Sequence, residues 1–168
     1  MASLLSGNMR AMLCAASLTF AADQASKALV TSQPLGWCQT IIPELFNLVH
    51  VQNRGAAFGF LNRTDIDWQV WLFTAVTIVA AGIILNLVKT APARSRWLCT
   101  SLGLVLGGAT GNLLDRLRLH AVTDFLDFQL GAYHWPAFNL ADTAICCGAI
   151  LASIILWKTP THTPGGNQ

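Results

Sequence analysis

Three stretches of this chain carry one charged side chain or none over lengths that suit a lipid bilayer. Trp68–Val88 is uncharged and bounded by Asp67 and Lys89. Trp97–Leu114 is uncharged and ends at Asp115 and Arg116. Ala137–Trp157 holds only Asp142 and stops at Lys158. A bilayer core takes about 20 mostly apolar residues per helix, so each stretch is expected to span it. A fourth stretch, Met12–Val30, is weaker because Asp23 and Lys27 fall in its last two turns. The competing reading there is a secretory signal peptide, with Arg10 ahead of the apolar Leu13–Ala22. Apolar character resumes at Ala28–Val30, and nothing else points to a secreted protein. A fourth span is therefore expected.

Composition agrees. The 168 residues are 54% hydrophobic and 11% charged, against roughly 25% charged in a soluble domain. A net charge of +2, without a Lys/Arg run, excludes a nucleic-acid-binding stripe. The expected architecture is an all-α membrane bundle of four transmembrane helices in a single domain, residues 1–168. The spans fall near 12–30, 68–88, 97–114 and 137–157, with longer connecting segments at 31–67 and 115–136. Arg10, the Lys89/Arg94/Arg96 loop and Lys158 then share one side, which the positive-inside rule makes cytoplasmic, together with both termini. On the opposite, outer (periplasmic) face, Asn47–Gln52 and Val122–Phe128 read as strands. A small β-sheet with a short helix is expected to cover the helix ends there.

Several residues have plain structural readings. Gly103, Gly107 and Gly111 repeat every fourth position, which is a close helix-packing face. Trp68, Trp97, Tyr133, Trp135 and Trp157 sit at span boundaries as interfacial anchors. Five cysteines, four of them within spans, form neither a disulfide framework nor a metal site, and read as small apolar filler. Asp65 and Asp127 read as solvated.

The intramembrane polar residues are harder to dismiss. A charged residue at a helix centre costs about 2.5–3.5 kcal/mol on insertion scales. Asp23, Lys27, Asp115, Arg116 and Asp142 all lie at the outward ends of their spans. Asp23 and Lys27 are one turn apart and able to pair. Gly108, Asn112, Asp115 and Arg116 fall on one stripe, and Asn139 and Asp142 share a face. Three helices thus turn polar edges toward one outward-facing pocket. No His-Glu-x-x-His or Gly-x-Ser-x-Gly is present, and His50, His120 and His134 are isolated. Carboxylates and amides remain. Two close carboxylates share a proton, so one activates water while the other donates to a carbonyl oxygen, without metal or cofactor. A four-helix transporter or proton-coupled channel would use the same charges, and the physical reading leaves both open.

Five short blocks narrow the choice. Asp23-Gln-Ala-Ser-Lys27, Asn53-Arg-Gly-Ala-Ala-Phe58, Gly107-Gly-Ala-Thr-Gly-Asn-Leu-Leu-Asp-Arg116, Val122-Thr-Asp-Phe125 and Phe138-Asn-Leu-Ala-Asp142 occur in that order. Together they closely resemble the signature blocks of bacterial lipoprotein signal peptidase (signal peptidase II). The resemblance runs from Asp23 to Asp142; the tail from Thr159 has no counterpart. It implies an aspartic endopeptidase of the bacterial cytoplasmic membrane. Such an enzyme cuts diacylglyceryl-modified prolipoproteins on the amino side of the lipidated cysteine. It further implies a catalytic pair at Asp124 and Asp142, supported by Asp23, Lys27, Asn53, Asn112, Asp115, Arg116 and Asn139. Gly55 would border substrate access, and Gly108 would belong to the supporting stripe. Arg116 and Lys27 would pair with Asp115 and Asp23, compensating buried charge. The family is the target of the cyclic peptide globomycin, so such an inhibitor is expected in this pocket. The substrate's lipid would stay in the bilayer, and one bundle, a monomer, is the simpler assembly.

Overall fold

A computed structural model describes residues 2–55, 68–92, 95–131 and 133–158, with side chains from residue 7 onward. Among the described residues there are four helices: α1 (Ala2–Thr31), α2 (Trp68–Thr90), α3 (Arg96–Leu119) and α4 (Leu140–Lys158). Three of them, α2, α3 and α4, are long and apolar enough to cross a membrane. At 30 residues and 1.5 Å per residue, α1 is about 45 Å long, but it is not among those three. It is continuous from end to end and packs along α3.

The centre of the bundle is α3, and its glycines explain why. A Cβ at Gly107 would lie 2.5 Å from the Ala16 carbonyl oxygen, and one at Gly103 would overlap Met12 and Ala15. These small residues let α1 approach to backbone contact on one side. On the other side, Gly108 meets Ala141 and Ile145 of α4, and Gly148 of α4 meets the Ser101 carbonyl. In the half of the bundle away from the sheet, Met12, Ile84, Val88, Cys99 and Leu102 form the buried apolar cluster. Large apolar side chains such as Leu18, Trp71, Ile78 and Trp157 point outward, as a hydrocarbon surround requires.

The remaining elements form one antiparallel sheet in the order β1 (Cys38–Ile42), β2 (Phe46–Asn53), β3 (Val122–Leu130), β4 (Tyr133–Phe138). The strands expected at 47–52 and 122–128 are the two central ones, found slightly longer. The edge strands carried no usable pattern. All five β1 residues are exposed, so no alternation marks it, and β4 contains Pro136, which only an edge or bulge tolerates. A register shift lies between Leu126 and Phe128 opposite β4. The first four residues of β3 are all buried, because that end of the strand runs between the sheet and the helix ends. No short helix occurs among the described residues of the connecting segments. Residues 56–67, which include the end of the Asn53–Phe58 block as well as Asp65, lie outside the described residues.

Three boundaries differ clearly from expectation: α1 begins at Ala2 rather than near Met12, and the other two have local causes. α3 does not stop at Leu114 but continues to Leu119, ending where His120 takes a left-handed conformation and donates to the Arg116 carbonyl at 3.0 Å. Its basic last turn (Arg116 and Arg118) complements the negative helix terminus. α4 begins at Leu140 rather than Ala137 because Asn139 caps it and Ala137–Phe138 belong to β4.

Candidate active site

The sheet-capped end of the bundle is built around a buried ion cluster. Lys27 Nζ pairs with Asp23 Oδ2 at 2.8 Å, one turn away on α1, and with Asp115 Oδ2 of α3 at 3.0 Å. Its third contact is Asn112 Oδ1 at 2.8 Å. Asp23 is fully buried and Lys27 nearly so, and such charges persist only when every proton and lone pair has a partner. Here they do. Asp23 Oδ1 accepts the Ala141 N–H at 3.0 Å, one of the unsatisfied donors at the start of α4. Asp115 Oδ2 accepts the Thr123 N–H at 3.2 Å. Gln24, which the sequence reading did not single out, donates to Asp115 Oδ1 at 3.1 Å and to Asp23 Oδ2 at 3.2 Å. The cluster therefore ties α1, α3, α4 and β3 together. Gly111 belongs to it too, since a Cβ there would sit 2.5 Å from Asp23 Oδ2.

The expected pairing of Arg116 with Asp115 is not formed. Both carboxylate oxygens of Asp115 are taken by Lys27, Gln24 and the Thr123 N–H. The Arg116 guanidinium instead lies 4.0 Å over the Phe73 ring of α2, a cation–π contact that suits a desolvated guanidinium.

Asp124 and Asp142 lie beside this cluster, each held by amides. Asn139 Nδ2 donates to Asp124 Oδ1 at 2.7 Å, and Asn53 Nδ2 donates to Asp124 Oδ2 at 3.1 Å. Asn53 is itself steadied by the Gly55 N–H, which donates to its Oδ1 at 3.0 Å. Asn112 Nδ2 donates to Asp142 Oδ1 at 2.8 Å, and Asn139 Oδ1 accepts the Asp142 N–H at 2.9 Å. Asp124 is 2% exposed, yet it lines a cavity of about 480 Å³ together with Asp142. Burial first, and the neighbouring Asp142 charge second, push the Asp124 carboxyl up to about 7. The amides of Asn53 and Asn139 and the charge of Lys27 oppose that rise without cancelling it.

Of the residues singled out from sequence, Asn53, Gly55, Asn112, Arg116, Asp124 and Asp142 line this cavity. Asp23, Lys27, Asp115 and Asn139 stand behind its wall and reach it through hydrogen bonds. Gly108 does neither; it is a packing position under α4. The rest of the lining is largely apolar, including Trp135 and Phe138 of β4 and Ile145, Cys146 and Cys147 of α4. Of the cysteines within the spans, Cys99 is buried in the core, whereas Cys14, Cys146 and Cys147 are exposed on the bundle. Asp127 is not simply solvated: Asn47 donates to it at 2.9 Å, and His134 lies 3.6 Å away.

An apolar helical bundle, capped by a sheet and holding two carboxylates in a half-apolar cavity, defines a membrane protein with an enzyme-like site. The sequence profile of signal peptidase (SPase) II matches residues 15–158, and the chain belongs to that family of membrane proteases. It is 46% identical over 166 residues to the lipoprotein signal peptidase of Nitratidesulfovibrio vulgaris (strain DP4), covering 98% of this chain and 100% of the relative. It is 51% identical over 142 residues to the lipoprotein signal peptidase of Maridesulfovibrio salexigens, covering 84% and 91%. A bacterial membrane enzyme solved by the in meso method at 2.3 Å superposes with a TM-score of 0.79 at 26% identity, over 94% of each chain.

Proposed function

We propose that this protein is an intramembrane aspartic endopeptidase that removes signal peptides from diacylglyceryl-modified prolipoproteins, cutting on the amino side of the lipidated cysteine. The observation that carries the reading is the joint exposure of Asp124 and Asp142 on one cavity wall, each oriented by a side-chain amide. Two acids that line one cavity and feel each other's charge share a proton. The ionised one takes a proton from water as the water oxygen adds to the scissile carbonyl carbon, and the protonated one donates to the carbonyl oxygen. Collapse of the tetrahedral diol breaks the C–N bond, and the cysteine amine leaves with a proton returned from the pair. The two acids act as a coupled unit, so neither role belongs to one residue alone.

The apolar wall at Trp135, Phe138 and Ile145 suits a substrate that arrives from the membrane with its lipid still in the bilayer. In this reading α1 is the fourth transmembrane helix, its Asp23 and Lys27 neutralised within the cluster rather than facing lipid. The positive residues outside the spans orient the bundle with both termini in the cytoplasm and the sheet on the periplasmic face of the inner membrane. A single bundle, working as a monomer, suffices. Globomycin-type cyclic peptides would compete for the same cavity.

The test is processing by the purified protein in detergent of a precursor with and without prior diacylglyceryl modification. Cleavage of the modified precursor only, abolished by globomycin, is expected. Solute or proton flux in liposomes without any cleavage would replace this reading with a transporter.

A further inference from the structure

Two side-chain amides stand between the buried ion cluster and the two carboxylates, and each is held in one orientation by a group that can only donate. An ammonium has no acceptor, so the Asn112 atom facing Lys27 Nζ at 2.8 Å is its oxygen. The Asn112 NH2 is thereby turned toward Asp142 Oδ1, also at 2.8 Å. The other two protons of Lys27 are committed to Asp23 and Asp115. In the same way the Asp142 backbone N–H fixes the oxygen of Asn139, whose NH2 then faces Asp124. That NH2 also lies 3.2 Å from Asn112 Oδ1, which joins the two amides.

Taking Asp124 and Asp142 as the hydrolytic pair described above, we propose that Lys27 is a positioning residue for Asp142, acting through the Asn112 amide. Lys27 does not line the cavity and so touches no substrate. Besides its charge, which acts on Asp124 from a distance, it reaches Asp142 through one rotatable group. Without the ammonium, the Asn112 oxygen is held only by the Asn139 NH2 at 3.2 Å, a weaker restraint against a half-turn of the amide about its last bond. Its carbonyl oxygen would then oppose the Asp142 carboxylate, lone pair against lone pair, and the carboxylate would swing away. Lys27 thus has a directional role beyond neutralising two acids, a role that Asp23 and Asp115 support by holding its other two protons.

A double-mutant cycle on precursor cleavage separates this from simple charge compensation. Rates are measured for the wild-type protein, Lys27→Met, Asn112→Ala and the double variant. Lys27→Met is expected to lower kcat by about tenfold to a hundredfold, the cost of misplacing a reacting group, while KM stays within about twofold. In the Asn112→Ala background the same change is expected to add less than about twofold. Losses that multiply, or a Lys27→Met protein with lower thermal stability but unchanged kcat, would overturn the proposal. Because Lys27→Met strands two buried carboxylates, the cycle is repeated with Lys27→Met/Asp23→Asn, which removes one charge of each sign together. The same non-additivity is expected there, and its absence overturns the proposal. An inert wild-type protein would instead sink the hydrolytic reading itself, and this role with it.

Discussion

Asn139 donates its amide to Asp124 at 2.7 Å while its carbonyl oxygen caps α4 by accepting the Asp142 N–H at 2.9 Å. One residue at the junction of β4 and α4 therefore sets both members of the acidic pair. The cap fixes the backbone from which Asp142 projects, while the Asp142 carboxylate itself is held by Asn112. A reaction that needs a water held between two acids gains from such rigidity.

Substitutions at Asn139 separate its two tasks. Asn139→Asp keeps an oxygen for the cap but faces Asp124 with a second carboxylate in place of an N–H. Cleavage is expected to fall at least about a hundredfold, and the melting point in detergent to drop as well, because a fully buried acid then faces three acceptor oxygens. Asn139→Ala loses the cap as well, which costs about 1 kcal/mol of stability. Rates and melting curves on the two variants check this; an Asn139→Asp protein at full rate would show that the contact is incidental.

Asp124→Asn and Asp142→Asn each preserve shape and remove one titratable proton. Each is expected to lower precursor cleavage by at least about a thousandfold, within the range of a lost acid or base, while the protein still inserts and folds. Asp127→Asn is the comparison. That carboxylate accepts from Asn47 and lies off the cavity, so its loss is expected to leave cleavage within about twofold. Comparable losses in all three variants would point to general disruption of the sheet.

Titration of Asp124 supplies a pH dependence with a definite sign. Its proton is held to about 7 in the folded protein, whereas an unfolded aspartate loses it near ~3.9. A raised acid favours the folded state fully below the unfolded value, and this contribution is lost as pH rises toward 7. Cleavage is expected to decline in the same direction, with kcat/KM falling as pH passes about 7. Asp142→Asn removes the second cause of the shift but not burial. The Asp124 proton should then leave at lower pH, still above the ordinary range, as followed by its infrared carboxyl band. An unchanged midpoint in that variant would mean that the two acids are not coupled.

Much of this arrangement was legible in the sequence because membranes penalise charge. The outward placement of Asp23, Lys27, Asp115, Arg116 and Asp142 located the site, and the glycine stripe located the α1–α3 contact. Asp124, in a strand outside the apolar runs, stood out only through the family resemblance, since nothing in Val122–Phe128 distinguishes it from Asp127 by pattern. Partner choice was not legible either. Arg116 lies on Phe73 because Lys27, Gln24 and the Thr123 N–H already fill Asp115, and that competition arises only once four elements converge. Gln24 was invisible for the same reason: a glutamine at a helix end carries no signal until two acids meet its amide. The edge strands escaped because exposed strands on a membrane-side sheet need no alternation.

The glycine stripe gives a test of the bundle that is independent of the chemistry. A methyl at Gly107 would lie 2.5 Å from the Ala16 carbonyl oxygen and 2.8 Å from Thr19 Cβ. Neither is the free end of a flexible chain, so α1 and α3 must separate. Gly111→Ala pushes instead on the Asp23 carboxylate, which is anchored by Lys27 and the Ala141 N–H. Gly82, on α2, has nothing within 4 Å of its added Cβ. Gly107→Ala is therefore expected to destabilise the protein by about 1–3 kcal/mol, the usual cost of overpacking, while Gly82→Ala changes stability little. Gly111→Ala is expected to reduce cleavage more than its stability loss explains, because displacing Asp23 loosens Lys27 and, through it, Asn112. Thermal melts in detergent paired with cleavage rates read both effects. Equal melting shifts in the Gly107 and Gly82 variants would contradict the close α1–α3 contact on which the whole site is hung.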